Sequence, residues 1–236
     1  MHTFQQVLQA NPQFSADFSC ARPCIFENES GDFTYSASGT LFVVRGRSRY
    51  YGITAKHVVG NSAERLRILK DDSALGFVPL TQVARVSDRS GWDSDWTDFE
   101  VFTIHYDASP TGAIRVNNLT ALTLCRNETL VIVGYPSPNL DVDYYLRRIM
   151  ANRLVHVGRY LKPSTLDLLC TAQFQSAPDV STFDGFSGSP LWVCRENPDR
   201  LQFAGMALRG SASSGIIHFV AGSVLAAAVL ALDDGA

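Results

Sequence analysis

The stretch Asp184-Gly185-Phe186-Ser187-Gly188-Ser189-Pro190 crowds small residues around one serine and closes on a proline that stops any helix. Its glycines permit backbone angles that other residues avoid and let another segment approach closely. A serine displayed there is either a nucleophile or part of a tight bend. A hydroxyl attacks well only when a base takes its proton, and the base works best when a third group orients it. Candidates for both partners stand upstream. His57 follows the run Tyr51-Gly52-Ile53-Thr54-Ala55 and precedes Val58-Val59, so it sits where a strand ends. Asp98 opens the run Asp98-Phe99-Glu100-Val101-Phe102. Asp93 and Asp95 are rivals, but only Asp98 leads directly into the apolar alternation, which can carry its carboxylate to a buried place beside an imidazole. Taken singly, each residue also has an ordinary structural reading.

The elements that must hold these residues read mainly as short strands. Residues 39–44 and 50–55 form a hairpin around the polar turn Arg45-Gly46-Arg47-Ser48. Residues 66–70 follow, then a weaker run, 76–80, that Pro79 confines to an edge. Residues 98–104 give the clearest alternation in this half. A polar connector, 107–128, separates them from strands at 129–135, 153–157, 166–170, 190–194 and 201–207. Residues 3–10 place Phe4, Val7 and Leu8 on one face of a short helix. The apolar run from Ile216 to Leu232 is broken by His218, Gly222 and Ser223, and its composition shifts from β-branched and aromatic to Ala/Leu-rich. A buried strand followed by a C-terminal helix fits it better than a membrane span. Many short strands between turn signals argue an all-β barrel or sandwich, in two lobes meeting near the connector: residues 1–115 with His57 and Asp98, and residues 116–236 with Ser187.

The totals set limits. The 236 residues are 46 % hydrophobic and 18 % charged, enough for a large core, and the net charge of −3 gives no general field for nucleic acid or anionic membrane. Arg147, Arg148, Arg153, Arg159 and Lys162 read as a solvated strand face rather than a nucleic-acid patch. Cys20, Cys24, Cys125, Cys170 and Cys194 are odd in number and irregular in spacing, and no basic and apolar leader follows Met1. Free thiols in a reducing cytoplasm are the simplest expectation. The five histidines are scattered, so no metal or other cofactor is expected.

Together, Thr54-Ala55-Lys56-His57-Val58-Val59, Asp98-Phe99-Glu100-Val101 and Gly185-Phe186-Ser187-Gly188-Ser189-Pro190 resemble the trypsin-like (chymotrypsin-fold) serine peptidases, in the manner of a bacterial intracellular member. That family's patterns are T-A-x-H, D-[IVLF]-x-[VL] and G-x-S-G-[GS]-P, in that order. The order excludes α/β-hydrolases, which run Ser, Asp, His, and subtilisins, which run Asp, His, Ser. The resemblance covers residues 36–222. It implies an all-β fold of two six-stranded antiparallel β-barrels, with the N-terminal and C-terminal helices outside them. It also implies a catalytic triad of Ser187 as nucleophile, His57 as general base and acid, and Asp98 as orienter. The backbone N–H groups of Gly185 and Ser187 would form the oxyanion hole. Ser181, Thr182, Phe183, Ala207, Leu208, Arg209, Gly210 and His218 would line the substrate pocket. No acid stands at Ser181 to attract Arg or Lys, while Arg209 and His218 would suit an acidic side chain if they face the pocket; the alternatives are that Arg209 points to solvent and His218 sits in the core.

One departure from the family matters. Secreted zymogens carry an aspartate before the nucleophile, which pairs with a newly cleaved N-terminus. Phe186 stands there instead, and no Ile/Val-Val-Gly-Gly start is present. Activation without that ion pair is expected. The implied partner is a polypeptide substrate, with a regulatory protein as a further possibility. Two alternatives are a peptidase effector assembled by a partner and an inactive peptidase-fold binding module.

Overall fold

The computed structural model describes residues 18–29, 35–69, 77–78, 80–84, 98–104, 112–136, 140–143, 148–164, 169–174, 183–195 and 201–234. The strands of the first lobe are β1 (Ala21–Glu27), β2 (Tyr35–Arg45), β3 (Tyr50–Ala55), β4 (Leu66–Leu69), β5 (Phe77–Val78), β6 (Leu80–Ala84), β7 (Phe99–Ile104) and β8 (Ile114–Arg115). They form one sheet in the order β5-β4-β1-β2-β3-β7-β6, with β8 lying parallel to β2. Its two edge strands, β5 and β6, are one residue apart in the chain, so the sheet curls on itself, with no closing ladder among the described residues. The second lobe contains β9 (Thr129–Gly134), β12 (Leu154–Pro163), β13 (Leu169–Phe174), β14 (Pro190–Cys194), β15 (Leu201–Ser211) and β16 (Ile216–Ala221). These close into a six-stranded antiparallel barrel in the order β12-β13-β16-β15-β14-β9. A separate ribbon joins β10 (Leu140–Asp143) and β11 (Arg148–Ala151).

Successive strand residues point to opposite faces. In a strand with one wet face this gives alternating polarity, but residues 41–44 of β2 and 130–133 of β9 are apolar throughout. The reason is that both of their faces are covered. Leu41 and Val43 of β2 fill the interior of the first lobe, while Phe42 and Val44 face a core shared between the lobes. In the second lobe, Leu130 and Ile132 of β9 line the barrel, and Val131 and Val133 face the shared core. Phe42 meets Phe203 at 5.4 Å and Trp192 meets Phe203 edge-on at 6.2 Å, so aromatic rings from both lobes weld that interface. Each such side chain stabilises the fold by about 1.5–3 kcal/mol through burial.

The C-terminal run divides as its composition suggests, into β16 and the helix α2 (Gly222–Asp234). Leu225 and Val229 of α2 enter the shared core. The end of α2 then reaches the β2–β3 hairpin. Asp233 accepts hydrogen bonds from the Arg47 N–H at 2.7 Å and the Tyr51 hydroxyl at 2.6 Å, and Asp234 pairs with Arg47. Among the described residues, no helix is long and apolar enough to cross a membrane.

Three strand expectations change. β1 was not anticipated, because Arg22 and Pro23 interrupt its apolar pattern. Arg22 is nevertheless buried, donating to the carbonyls of Leu69 at 3.2 Å and Ala21 at 2.9 Å, and the ladder is irregular between Pro23 and Ile25. The run 76–80 falls in two strands, one at each edge of the sheet. The strand expected at 153–157 runs on to Pro163, with an irregularity between Tyr160 and Lys162. The helix expected at 3–10, the rivals Asp93 and Asp95, Arg147 and most of the strand expected at 166–170 lie outside the described residues. Within the rest of the basic group, Arg153 donates to the Phe18 carbonyl at 3.1 Å.

Candidate active site

His57 is positioned by the end of a strand. β3 finishes at Ala55, and a single helical turn, α1 (Lys56–Val59), begins at once. Gly60 closes that turn, its N–H bonding the Lys56 carbonyl at 2.8 Å, with a φ of 53° that favours glycine. β3 pairs antiparallel with β7, placing Ala55 opposite Phe99, so the residue before β7 arrives beside the residues after β3. That residue is Asp98. Its carbonyl accepts from the Lys56 N–H at 3.1 Å, and one of its carboxylate oxygens lies 3.2 Å from the His57 N–H. The other oxygen, Oδ2, is 2.6 Å from His57 Nδ1. A carboxylate only accepts, so Nδ1 carries the hydrogen and Nε2 is left as the acceptor. Ser187 Oγ stands 2.9 Å from that Nε2. The three side chains thus form one continuous hydrogen-bonded line. The His57 side chain is 45 % exposed and that of Asp98 26 %, which leaves the imidazole open to an incoming group.

Ser187 is positioned by two consecutive turns. The Phe186 N–H bonds the Phe183 carbonyl at 3.0 Å, and the Ser189 N–H bonds the Phe186 carbonyl at 2.9 Å. The turn is then stitched to β15, with Gly188 N–H to Ala207 carbonyl at 2.8 Å and Ala207 N–H to Ser189 carbonyl at 2.9 Å. Gly188 has φ 84°, and a Cβ there would stand 1.9 Å from the Thr40 carbonyl oxygen, so no other residue fits. Gly185 has φ 93°. The N–H groups of Gly185 and Ser187 bond no acceptor among the described residues. Phe186 is buried to 2 % exposure and packs edge-on against Phe183 at 6.2 Å, within the barrel's apolar interior.

Two residues that sequence reasoning missed also converge here. Thr40 of β2 donates its N–H to the Ser187 carbonyl at 3.0 Å and its hydroxyl to the Gly185 carbonyl at 2.8 Å. Tyr135, just past β9, donates its N–H to the Thr40 hydroxyl at 2.9 Å. A threonine inside an apolar strand was the available signal.

Of the expected pocket residues, Ser181 and Thr182 lie outside the described residues. Phe183, Ala207 and Leu208 are buried, and Arg209 and Gly210 are exposed. Arg209 and His218 are cross-strand partners between β15 and β16. Gly210 lies against Phe183, since a Cβ on it would stand 3.0 Å from that ring. All five cysteines are free. Burial pushes the Cys24 thiol up to about 12 and raises those of Cys170 and Cys194, which makes them poor nucleophiles beside Ser187. Among the described residues, no group of His, Cys, Asp and Glu is placed to hold a metal ion.

No protein-family model matches the chain, and no curated protein matches it by sequence. Solved structures do. A Glu endopeptidase in complex with MPD is 18 % identical, with a TM-score of 0.61 over 96 % of this chain and 95 % of that one. A kallikrein-related peptidase 10 complex with Zn2+ is 14 % identical, with a TM-score of 0.58 over 91 % and 96 %. At these identities the likeness is one of fold. The chain has a chymotrypsin-like fold.

Proposed function

We propose that this protein is a serine endopeptidase working through a Ser187/His57/Asp98 triad. The observation that carries this reading is the unbroken line from Asp98 Oδ2 through both imidazole nitrogens to Ser187 Oγ, with contacts of 2.6 and 2.9 Å. Ser187 Oγ bonds to the scissile carbonyl carbon while its proton passes to His57 Nε2. The oxygen of that carbonyl becomes an oxyanion received by the Gly185 and Ser187 N–H groups. His57 then returns the proton to the leaving amine as the C–N bond breaks, and Asp98 steadies the imidazolium. Water repeats the sequence on the acyl-enzyme: His57 takes its proton, the acid is released, and Ser187 recovers its hydrogen. No cofactor enters.

Phe186 supports activation without a new-terminus ion pair, because an apolar ring sunk in the barrel offers no partner to an amine. Free thiols support a reducing, cytoplasmic setting. The test is reaction with a fluorophosphonate. The uncleaved protein labels and Ser187→Ala does not. A folded wild-type protein that never labels, with or without proteolysis, overturns the proposal.

A further inference from the structure

Thr40 is fully buried in the first lobe's sheet, yet its hydroxyl and its N–H both bond residues of the second lobe. Its hydroxyl accepts from the Tyr135 N–H at 2.9 Å and donates to the Gly185 carbonyl at 2.8 Å. Its N–H donates to the Ser187 carbonyl at 3.0 Å. Its own carbonyl accepts from the Thr54 hydroxyl at 2.6 Å, and Thr54 lies on β3, three residues before His57. Because Tyr135 brings an N–H, the direction of the hydroxyl is fixed: its single proton must go to Gly185.

We propose that Thr40 is a positioning residue for the oxyanion hole. The inference rests on the peptidase reading above. Neither Gly185 nor Ser187 donates its N–H to an acceptor among the described residues, and Thr40 grips the carbonyl of each. Gly185 sits at φ 93°, and glycine can rotate widely about that angle. A hydrogen bond on its carbonyl fixes one side of the residue, so its N–H on the other side keeps its aim. The neighbouring grip on Ser187 sets the second N–H in the same frame. Through Thr54 that frame is shared with the strand leading to His57, so the oxyanion donors and the base are registered on one residue. Donors aimed before the reaction stabilise the transition state without reorganising, and a displacement near 1 Å costs on the order of 100-fold.

The test compares Thr40→Val, which keeps shape and removes the hydroxyl, with Thr40→Ser, which restores it. The readout is the second-order rate of fluorophosphonate labelling of the full chain across pH. Thr40→Val is expected to label about 10- to 100-fold more slowly at every pH, with the midpoint of the pH profile unmoved because the His57–Asp98 pair is intact. Thr40→Ser is expected to recover most of that rate. Thr40→Ala is the second variant, should valine prevent folding. The proposal is overturned if folded Thr40→Val or Thr40→Ala labels at the wild-type rate, if the profile midpoint shifts with the plateau, or if both variants fail to fold. A wild type that does not label overturns the peptidase reading instead.

Discussion

The two lobes supply their shares of the site in different physical ways. The first lobe delivers His57 and Asp98 from the rim of its sheet, where backbone pairing of β3 with β7 does the placing and both side chains remain partly exposed. The second lobe delivers Ser187 from a turn whose neighbours are driven into the barrel, with Phe186 and Ser189 almost wholly buried. One half of the site is therefore held by the ladder behind it, and the other by turn hydrogen bonds together with the buried side chains around it. Changing a functional side chain in the first lobe should cost rate with little stability. Changing the setting of Ser187 should cost both.

The largest expected effect tests the first half of that contrast. Asp98→Asn cannot hold the imidazole in its donating tautomer, and loss of a triad member in chymotrypsin-fold peptidases lowers kcat by on the order of 10⁴-fold. Denaturant unfolding of the same variant should change by no more than about 0.5 kcal/mol, the range usual for groups at a surface. A stability loss of several kcal/mol would break the contrast. Phe186→Ala tests the second half. It should destabilise the chain by about 3–5 kcal/mol and also slow fluorophosphonate labelling, because the cavity frees the turn that carries Ser187. Normal unfolding with normal labelling would show that the ring does not hold Ser187. Asp233→Ala, at the clasp between α2 and the β2–β3 hairpin, should cost about 1 kcal/mol in thermal or denaturant unfolding and leave the labelling rate alone. A further effect is confined to high pH. Burial lifts the Cys24 thiol from an ordinary 9.0 to about 12, so the unfolded chain gives up that proton first. Stability should therefore fall as pH rises from about 9 towards 12, and less so in Cys24→Ala, as read by unfolding midpoints across that range.

The all-β fold was legible in the sequence, and so were the boundaries beside the candidate residues, but not every strand. His57, Asp98 and Ser187 each stand beside a boundary that local residue types mark, either a strand end or a glycine-rich turn, and their positions follow from those boundaries. The β1 strand was not legible, because its Arg22 is satisfied by carbonyls brought from elsewhere, including Leu69. No local pattern reports such a partner. Thr40 shows in the sequence only as a threonine inside an apolar strand, while its hydroxyl bonds residues 95 and 145 positions away. The runs in β2 and β9 signalled strands but not which face met which core, since a residue covered on either side reads the same in one dimension. The opening in the first lobe's sheet depends on how β5 and β6 separate to opposite edges, which is a matter of tertiary packing.

Phe186 has a thermal and ionic consequence. An ion pair beneath Ser187 would weaken as ions screen it, whereas a ring packed on Phe183 within the barrel's apolar cluster has no charge to screen. The order of this turn should be indifferent to ordinary sodium chloride and strengthened by sulfate, which favours apolar burial. Cooling acts the other way. Apolar burial loses driving force at low temperature, so the reactivity of Ser187 towards a fluorophosphonate should fall on chilling more steeply than an ordinary activation barrier requires.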